Sequence, residues 1–133
     1  MYFDEEVVLD VRLNTLNEFV DYFVIVESKF THKGDQRELK FNHKRFEKFK
    51  DKIIYLIYEQ TPSKIEKINI EDNYNEQTRK YILNAAYREN EQRNFINSGL
   101  SNAEDNDLIF ISDVDEIPNL SNLNLNRITE KII

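Results

Sequence analysis

Two aspartates separated by one residue, Asp113 and Asp115, stand just past the apolar run Leu108-Ile109-Phe110-Ile111, in LIFISDVDEIP. A third acid, Glu27, directly follows another apolar run, Tyr22-Phe23-Val24-Ile25-Val26. Carboxylate oxygens are what Mg²⁺ and Mn²⁺ prefer, and these ions keep waters and bind substrate phosphates. In an extended chain, residues i and i+2 point to the same side, so both aspartates would converge on one cation. Open parallel sheets bind ligands beyond the carboxyl ends of their strands. Acids at two such ends therefore predict a metal–phosphate site, with a turn-capping role as the plain alternative.

The charge distribution points to the same segment. The chain has 133 residues, 18 Lys+Arg and 25 Asp+Glu, for a formal net charge of −7. No Lys or Arg occurs between Asn94 and Asn126, a stretch that holds Glu104, Asp105, Asp107, Asp113, Asp115 and Glu116. Outside it, 19 acids nearly balance 18 bases. At a separation of ~5 Å and an effective dielectric near 20, one like-charged pair costs roughly 3 kcal/mol, which a bound cation or exposure to water relieves. For Glu104, Asp105 and Asp107, a solvated loop and a cation site serve equally.

Composition excludes several classes. An acidic chain does not present the basic face that nucleic acid requires. With no Cys there is no disulfide framework, thiolate zinc site or thiol nucleophile. No apolar run approaches the roughly 20 residues of a membrane span, and Met1-Tyr2-Phe3-Asp4-Glu5-Glu6 is acidic where a signal peptide is basic. The expectation is an acidic, single-domain, cytoplasmic protein occupying 1–133. No P-loop, GxGxxG or Ser-His-Asp order occurs, and His32 and His43 lack metal-ligand spacing and read as surface residues.

The elements that must position these acids alternate in type. Residues 5–20 place Val7, Val8, Val11, Leu16, Phe19 and Val20 at helical spacing. The run 22–26 is rich in β-branched residues and reads as a buried strand, followed by a polar loop over 28–41 containing Gly34, Lys33 and Arg37. Asn42 can cap a short helix, 43–50, that buries Phe46 and Phe49. A strand at 53–58, an irregular connection at 60–75 and a long helix at 76–98 ended by Gly99 come next. Leu108–Ile111 reads as a third strand, and the tail beyond Pro118 as a partial helix. Apolar strands separated by helices predict an α/β fold with a mostly parallel sheet.

Within the long helix the apolar stripe runs Ile82, Ala85/Ala86, then Phe95/Ile96, leaving Glu89 and Gln92/Arg93 at the inward positions between. Two readings serve. One is a local Glu89–Arg93 pair, worth a few tenths of a kcal/mol. In the other, Arg93, and Arg88 with it, faces the ligand pocket. Lys33 and Arg37 are placed to meet a diphosphate or to remain solvated.

Seven blocks in order resemble glycosyltransferase family 17, the bisecting-type β-1,4-mannosyl-glycoprotein N-acetylglucosaminyltransferases. They are Phe3-Asp4-Glu5, VLDVRLNTL with Arg12, VDYFVIVES, Thr31…Gly34…Arg37-Glu38-Leu39-Lys40-Phe41, KDKIIYLIY, Glu91-Gln92-Arg93-Asn94…Gly99-Leu100 and SDVDEIP. DVDEIP is the most specific. The resemblance implies a GT-A (Rossmann-like) nucleotide-sugar-binding half and an inverting transferase that moves N-acetylglucosamine from UDP-GlcNAc to a glycan acceptor. It makes Asp113 and Asp115 a DxD motif holding Mn²⁺ or Mg²⁺ on the donor diphosphate. Asp115 would be the more direct ligand, with Asp113 reaching the ribose or a metal-bound water. Glu27, Arg37, Arg88 and Arg93 would border the donor.

The family has a short strand before the Phe-Asn-Glu region and an acceptor-binding half after the DxD block. This chain starts at Met1-Tyr2 and stops 15 residues after Pro118, so it reads as a truncated donor-binding half, and no general base is assigned. The alternative is a non-catalytic nucleotide-fold module that acts as an interaction domain or needs a partner half. An uncovered sheet edge would favour self-association or a complementary subunit. A haloacid-dehalogenase-type phosphatase also ends a strand in Asp-x-Asp, but only Arg127, Glu130 and Lys131 follow here as charged residues.

Overall fold

A computed structural model of the chain describes residues 2–123. Helix α1 spans Glu6–Leu16, strand β1 Phe23–Ser28, strand β2 Ile53–Tyr58 and helix α2 Tyr74–Asn94. Single 3₁₀ turns occupy Glu47–Phe49, Phe95–Gly99 and Leu120–Asn122. β1 and β2 pair in parallel, from Phe23 opposite Ile53 to Ser28 opposite Tyr58. The result is an α/β arrangement around a small two-stranded parallel sheet. Among the described residues no helix is long and apolar enough to cross a membrane.

β1 is the buried centre, and its two faces dock different layers. Phe23 and Ile25 join Leu9, Leu13 and Leu16 of α1 and Phe46 and Phe49 in one core cluster. On the other face Val24 meets the turn at Gly99, where an added Cβ would fall 2.6 Å from Val24 Cγ1 and 3.3 Å from Leu56 Cδ1. Gly99 therefore both ends the helical segment and lets its backbone lie against the sheet.

Several sequence expectations change on this frame. The buried stripe of α1 is Leu9, Leu13 and Leu16, while Val7, Val11 and Phe19 are exposed. The longer leucines reach the sheet, and the helix ends at Leu16 rather than near 20. Residues 43–50 form turns and one 3₁₀ turn rather than an α-helix. Asn42 still caps them by accepting from the Arg45 amide at 3.2 Å, and Phe46 and Phe49 are buried. α2 begins at Tyr74, with Asn73 accepting from the Glu76 amide at 3.0 Å.

The inward positions of α2 are polar. Ile82 is exposed, whereas Lys80 and Asn84 are buried. Asn84 exchanges two 2.8 Å hydrogen bonds with the Glu66 backbone, and Lys80 pairs with Asp72 at 2.7 Å. The irregular 60–75 connection is thus laced to the helix by side chains that satisfy its backbone.

The expected third strand is not paired. Leu108–Ile111 is irregular and exposed, and together with Phe23, Val24 and Ile25 it lines a cavity of about 800 Å³. The free edge of β1 instead receives Tyr2, whose amide donates to the Val26 carbonyl at 3.0 Å in a parallel bridge with Glu27. Of the tail, Leu120–Asn122 forms one 3₁₀ turn, and the remaining expectation of a partial helix lies outside the described residues.

Candidate functional site

Asp113 and Asp115 are both exposed, on a turn rather than on an extended strand. The Glu116 amide donates to the Asp113 carbonyl at 3.1 Å, and the Asp113 amide donates to Glu116 Oε2 at 3.2 Å. Glu116 therefore closes the turn from both ends. Ser112 and Val114 line the large cavity beneath, whereas Asp113 and Asp115 do not. The backbone sends its small and apolar side chains inward and both aspartates to solvent.

Two arginines hold this turn. Arg12, from α1, donates at 2.8 Å to the Asp113 carbonyl, to the Glu116 carbonyl and to Ser112 Oγ. Burial pulls its guanidinium below the ordinary arginine value, and the charges of Glu116 and Asp113 oppose that effect. Arg93, from α2, lies 3.4 Å from Asp113 Oδ1 and 3.3 Å from Glu89 Oε1. The local Glu89–Arg93 pair is present, and the same guanidinium reaches the acidic turn at Asp113.

Glu27 and Arg37 find each other. Glu27 is fully buried, 3.2 Å from Arg37, and accepts from the Lys40 amide at 2.6 Å, the Phe41 amide at 3.1 Å and the Tyr55 hydroxyl at 2.7 Å. Arg37 in turn donates to the Ser28 carbonyl at 2.9 Å and to the Phe3 carbonyl, with its guanidinium 4.0 Å from the Phe3 ring centre. A buried carboxylate requires this many donors. The nearby phenols respond: burial first, then Glu27, pushes Tyr2 up to about 12, and burial with the Glu27 hydrogen bond raises Tyr55 further. The pair fastens the 29–41 loop to the end of β1.

Arg88 braces the same loop farther along, donating to the His32 carbonyl at 3.0 Å. Gly34, at φ +97, leaves room for that guanidinium, into which any Cβ would run. Lys33 and His32 are exposed, and His43 packs edge-on against Phe41 and Tyr55. α2 thus spans from the loop after β1, at Arg88, to the acidic turn, at Arg93.

The acids at 104–107 form a capped turn: Asp107 accepts from the Glu104 amide at 2.9 Å. Among the described residues no three acids or histidines gather as a metal cage. Asp113 and Asp115 fit a hard cation of the kind that binds through one or two carboxylates and takes its other ligands from water and phosphate.

Arg12 is the site residue that its own position in the sequence left unassigned. The signal was present, since a charged residue sits on the buried stripe between Leu9, Leu13 and Leu16. Its acceptors, about a hundred positions along, carried no such mark.

Comparison with known proteins matches the chain to the model of glycosyltransferase family 17 over residues 1–133. The beta-1,4-mannosyl-glycoprotein 4-beta-N-acetylglucosaminyltransferases of Homo sapiens and Rattus norvegicus are each 32% identical to it over 115 residues, and that of Mus musculus is 31% identical. These matches cover 83% of this chain and 19% of each relative, so the chain spans under a fifth of their length. No solved structure matches. The DVDE turn, the β1 loop and the α2 arginines all fall inside the matched residues, and the chain belongs to glycosyltransferase family 17.

Proposed function

We propose that the chain forms the donor-binding part of a metal-dependent, inverting glycosyltransferase of the GT-A type. Its donor is a nucleotide sugar, UDP-GlcNAc by family likeness, and its acceptor is a glycan. The observation that carries this reading is the exposed Asp113/Asp115 turn, gripped from below by Arg12 and faced by Arg93. Family membership supplies the reaction class. The turn supplies two carboxylates at a polar rim, the arrangement that a cation–diphosphate complex needs.

Mn²⁺ or Mg²⁺ bound there supplies a Lewis acid that offsets charge developing on the departing diphosphate. Asp115 would be the more direct ligand, with Asp113 reaching the ribose or a metal-bound water. Arg93, half-exposed, offers a guanidinium to a phosphate oxygen, for which its planar fork is suited. Arg88, Glu27 and Arg37 act at one remove by fixing the loop that borders the donor. None of the described residues is assigned as the base that deprotonates the acceptor hydroxyl.

A second reading has its own support. Leu108, Ile109, Phe110 and Ile111 are all exposed by 45% or more, which favours a complementary protein part that covers this face. Calorimetry separates the two. UDP-GlcNAc added with Mn²⁺ should give saturable heat that disappears without Mn²⁺ and in Asp115→Ala. Absence of heat, or undiminished heat in the variant, removes the donor-binding reading and leaves the interaction module.

A further inference from the structure

Arg12 has an environment that a purely structural surface arginine lacks. It sits on the buried side of α1 in line with Leu9, Leu13 and Leu16, half withdrawn from water. All three of its hydrogen bonds, each 2.8 Å, go to one five-residue stretch, Ser112 to Glu116. The acceptors are two backbone carbonyls and one hydroxyl, and none is a carboxylate oxygen. The Ser112 hydroxyl donates a hydrogen bond to the Glu116 carbonyl at 3.0 Å, which joins Arg12, Ser112 and Glu116 in one network.

The neighbourhood gives that network its consequence. Residues 101–111, leading into the turn, are exposed throughout. Inward packing of the turn region comes from Val114 and Ile117. Beyond the two Asp113–Glu116 hydrogen bonds that close the turn on itself, the guanidinium of Arg12 is what ties its backbone to another element. A planar donor that binds carbonyls fixes the chain and leaves the carboxylates free for other work.

We infer that Arg12 is a positioning residue. By gripping the Asp113 and Glu116 carbonyls and Ser112 Oγ, it presents the Asp113 and Asp115 carboxylates together to a divalent cation. The inference rests on the reading of those two acids as cation ligands. It goes beyond that reading by assigning their geometry to a residue on a different element. Partners that orient metal ligands typically change metal affinity by roughly 10- to 100-fold when removed.

The test uses the whole chain with Mn²⁺ alone, well below each variant's melting temperature. Mn²⁺ affinity is measured by calorimetry, and amide hydrogen exchange is followed at Glu116. Arg12→Gln should weaken Mn²⁺ binding by about tenfold or more and speed exchange at Glu116. A role confined to stability would lower the melting temperature and leave the affinity of the folded protein unchanged, which overturns the inference while Asp113 and Asp115 remain ligands. Failure of the unaltered chain to bind Mn²⁺ overturns the ligand reading and this inference with it. If Arg12→Gln does not fold, Ser112→Ala removes one anchor of the network. It should weaken Mn²⁺ binding severalfold, and unchanged affinity there overturns the inference equally.

Discussion

The guanidinium of Arg93 lies 3.4 Å from Asp113 and 3.3 Å from Glu89, so a single side chain connects the long helix to the acidic turn. Arg93 and Asp113 are about half exposed, at 45% and 55%. Pairs this wet contribute roughly 0.2–1 kcal/mol. A contact that weak is readily exchanged, as the proposal that Arg93 turns to a donor phosphate requires.

Arg93→Ala should therefore barely change stability, by under about 1 kcal/mol in urea denaturation. It should weaken UDP binding in the presence of Mn²⁺ by about tenfold or more, since hydrogen bonds to charged groups are worth roughly 1.5–3 kcal/mol. Loss of stability with unchanged nucleotide affinity would make it a strut between elements instead.

Glu27 should behave in the opposite way. Removing one partner of a buried ion pair costs about 3–5 kcal/mol, because the other charge is left without compensation. Glu27→Ala should reach that range in urea denaturation and should expose the 29–41 loop to protease. A variant of normal stability that loses only donor affinity would place Glu27 against the ligand directly.

Gly99→Ala tests the contact between the end of the helical segment and the sheet. The new methyl would arrive 2.6 Å from Val24 Cγ1 and 3.3 Å from Leu56 Cδ1, too close to be accepted without movement. Overpacking of this kind costs about 1–3 kcal/mol, readable as a lowered urea midpoint. A neutral or stabilising outcome would show that the turn can move away from β1.

The pH dependence of stability should have an acid limb that passes through Asp72. Its carboxyl is held below the ordinary value, first by the Lys80 hydrogen bond and then by the Asn69 amide. A depressed folded-state value means that stabilisation is complete above the unfolded value and is lost as pH falls through the folded one. Urea midpoints taken from about pH 7 to about pH 3 should fall, and Asp72→Asn should flatten part of that slope.

Much of this arrangement was legible because it is local. The run 53–58 becomes β2 with the expected bounds, and the long helix follows from spacing, although its α-helical part stops at Asn94 and a 3₁₀ turn carries the chain on to Gly99. The errors arise where a partner decides. Val7, Val8 and Val11 are as apolar as Leu9 and Leu13, and only the sheet selects which side of α1 is buried. Leu108–Ile111 has strand composition, but a strand also needs an edge, and here the cavity separates it from β1. Asp113, Asp115 and Arg93 stand out as candidates in the sequence because acids and bases interrupt apolar patterns at readable positions. Arg12 interrupts a pattern too, yet its contacts are with residues that only folding brings against it.

Paramagnetic broadening by Mn²⁺ tests the central claim most directly, because it maps the ion onto residues without any need for turnover. Substoichiometric Mn²⁺ should broaden the backbone amides of 112–116 first, then those near Arg93, and Asp115→Ala should abolish the effect. Broadening centred on Glu104, Asp105 and Asp107, or spread evenly over the acidic surface, would contradict the account.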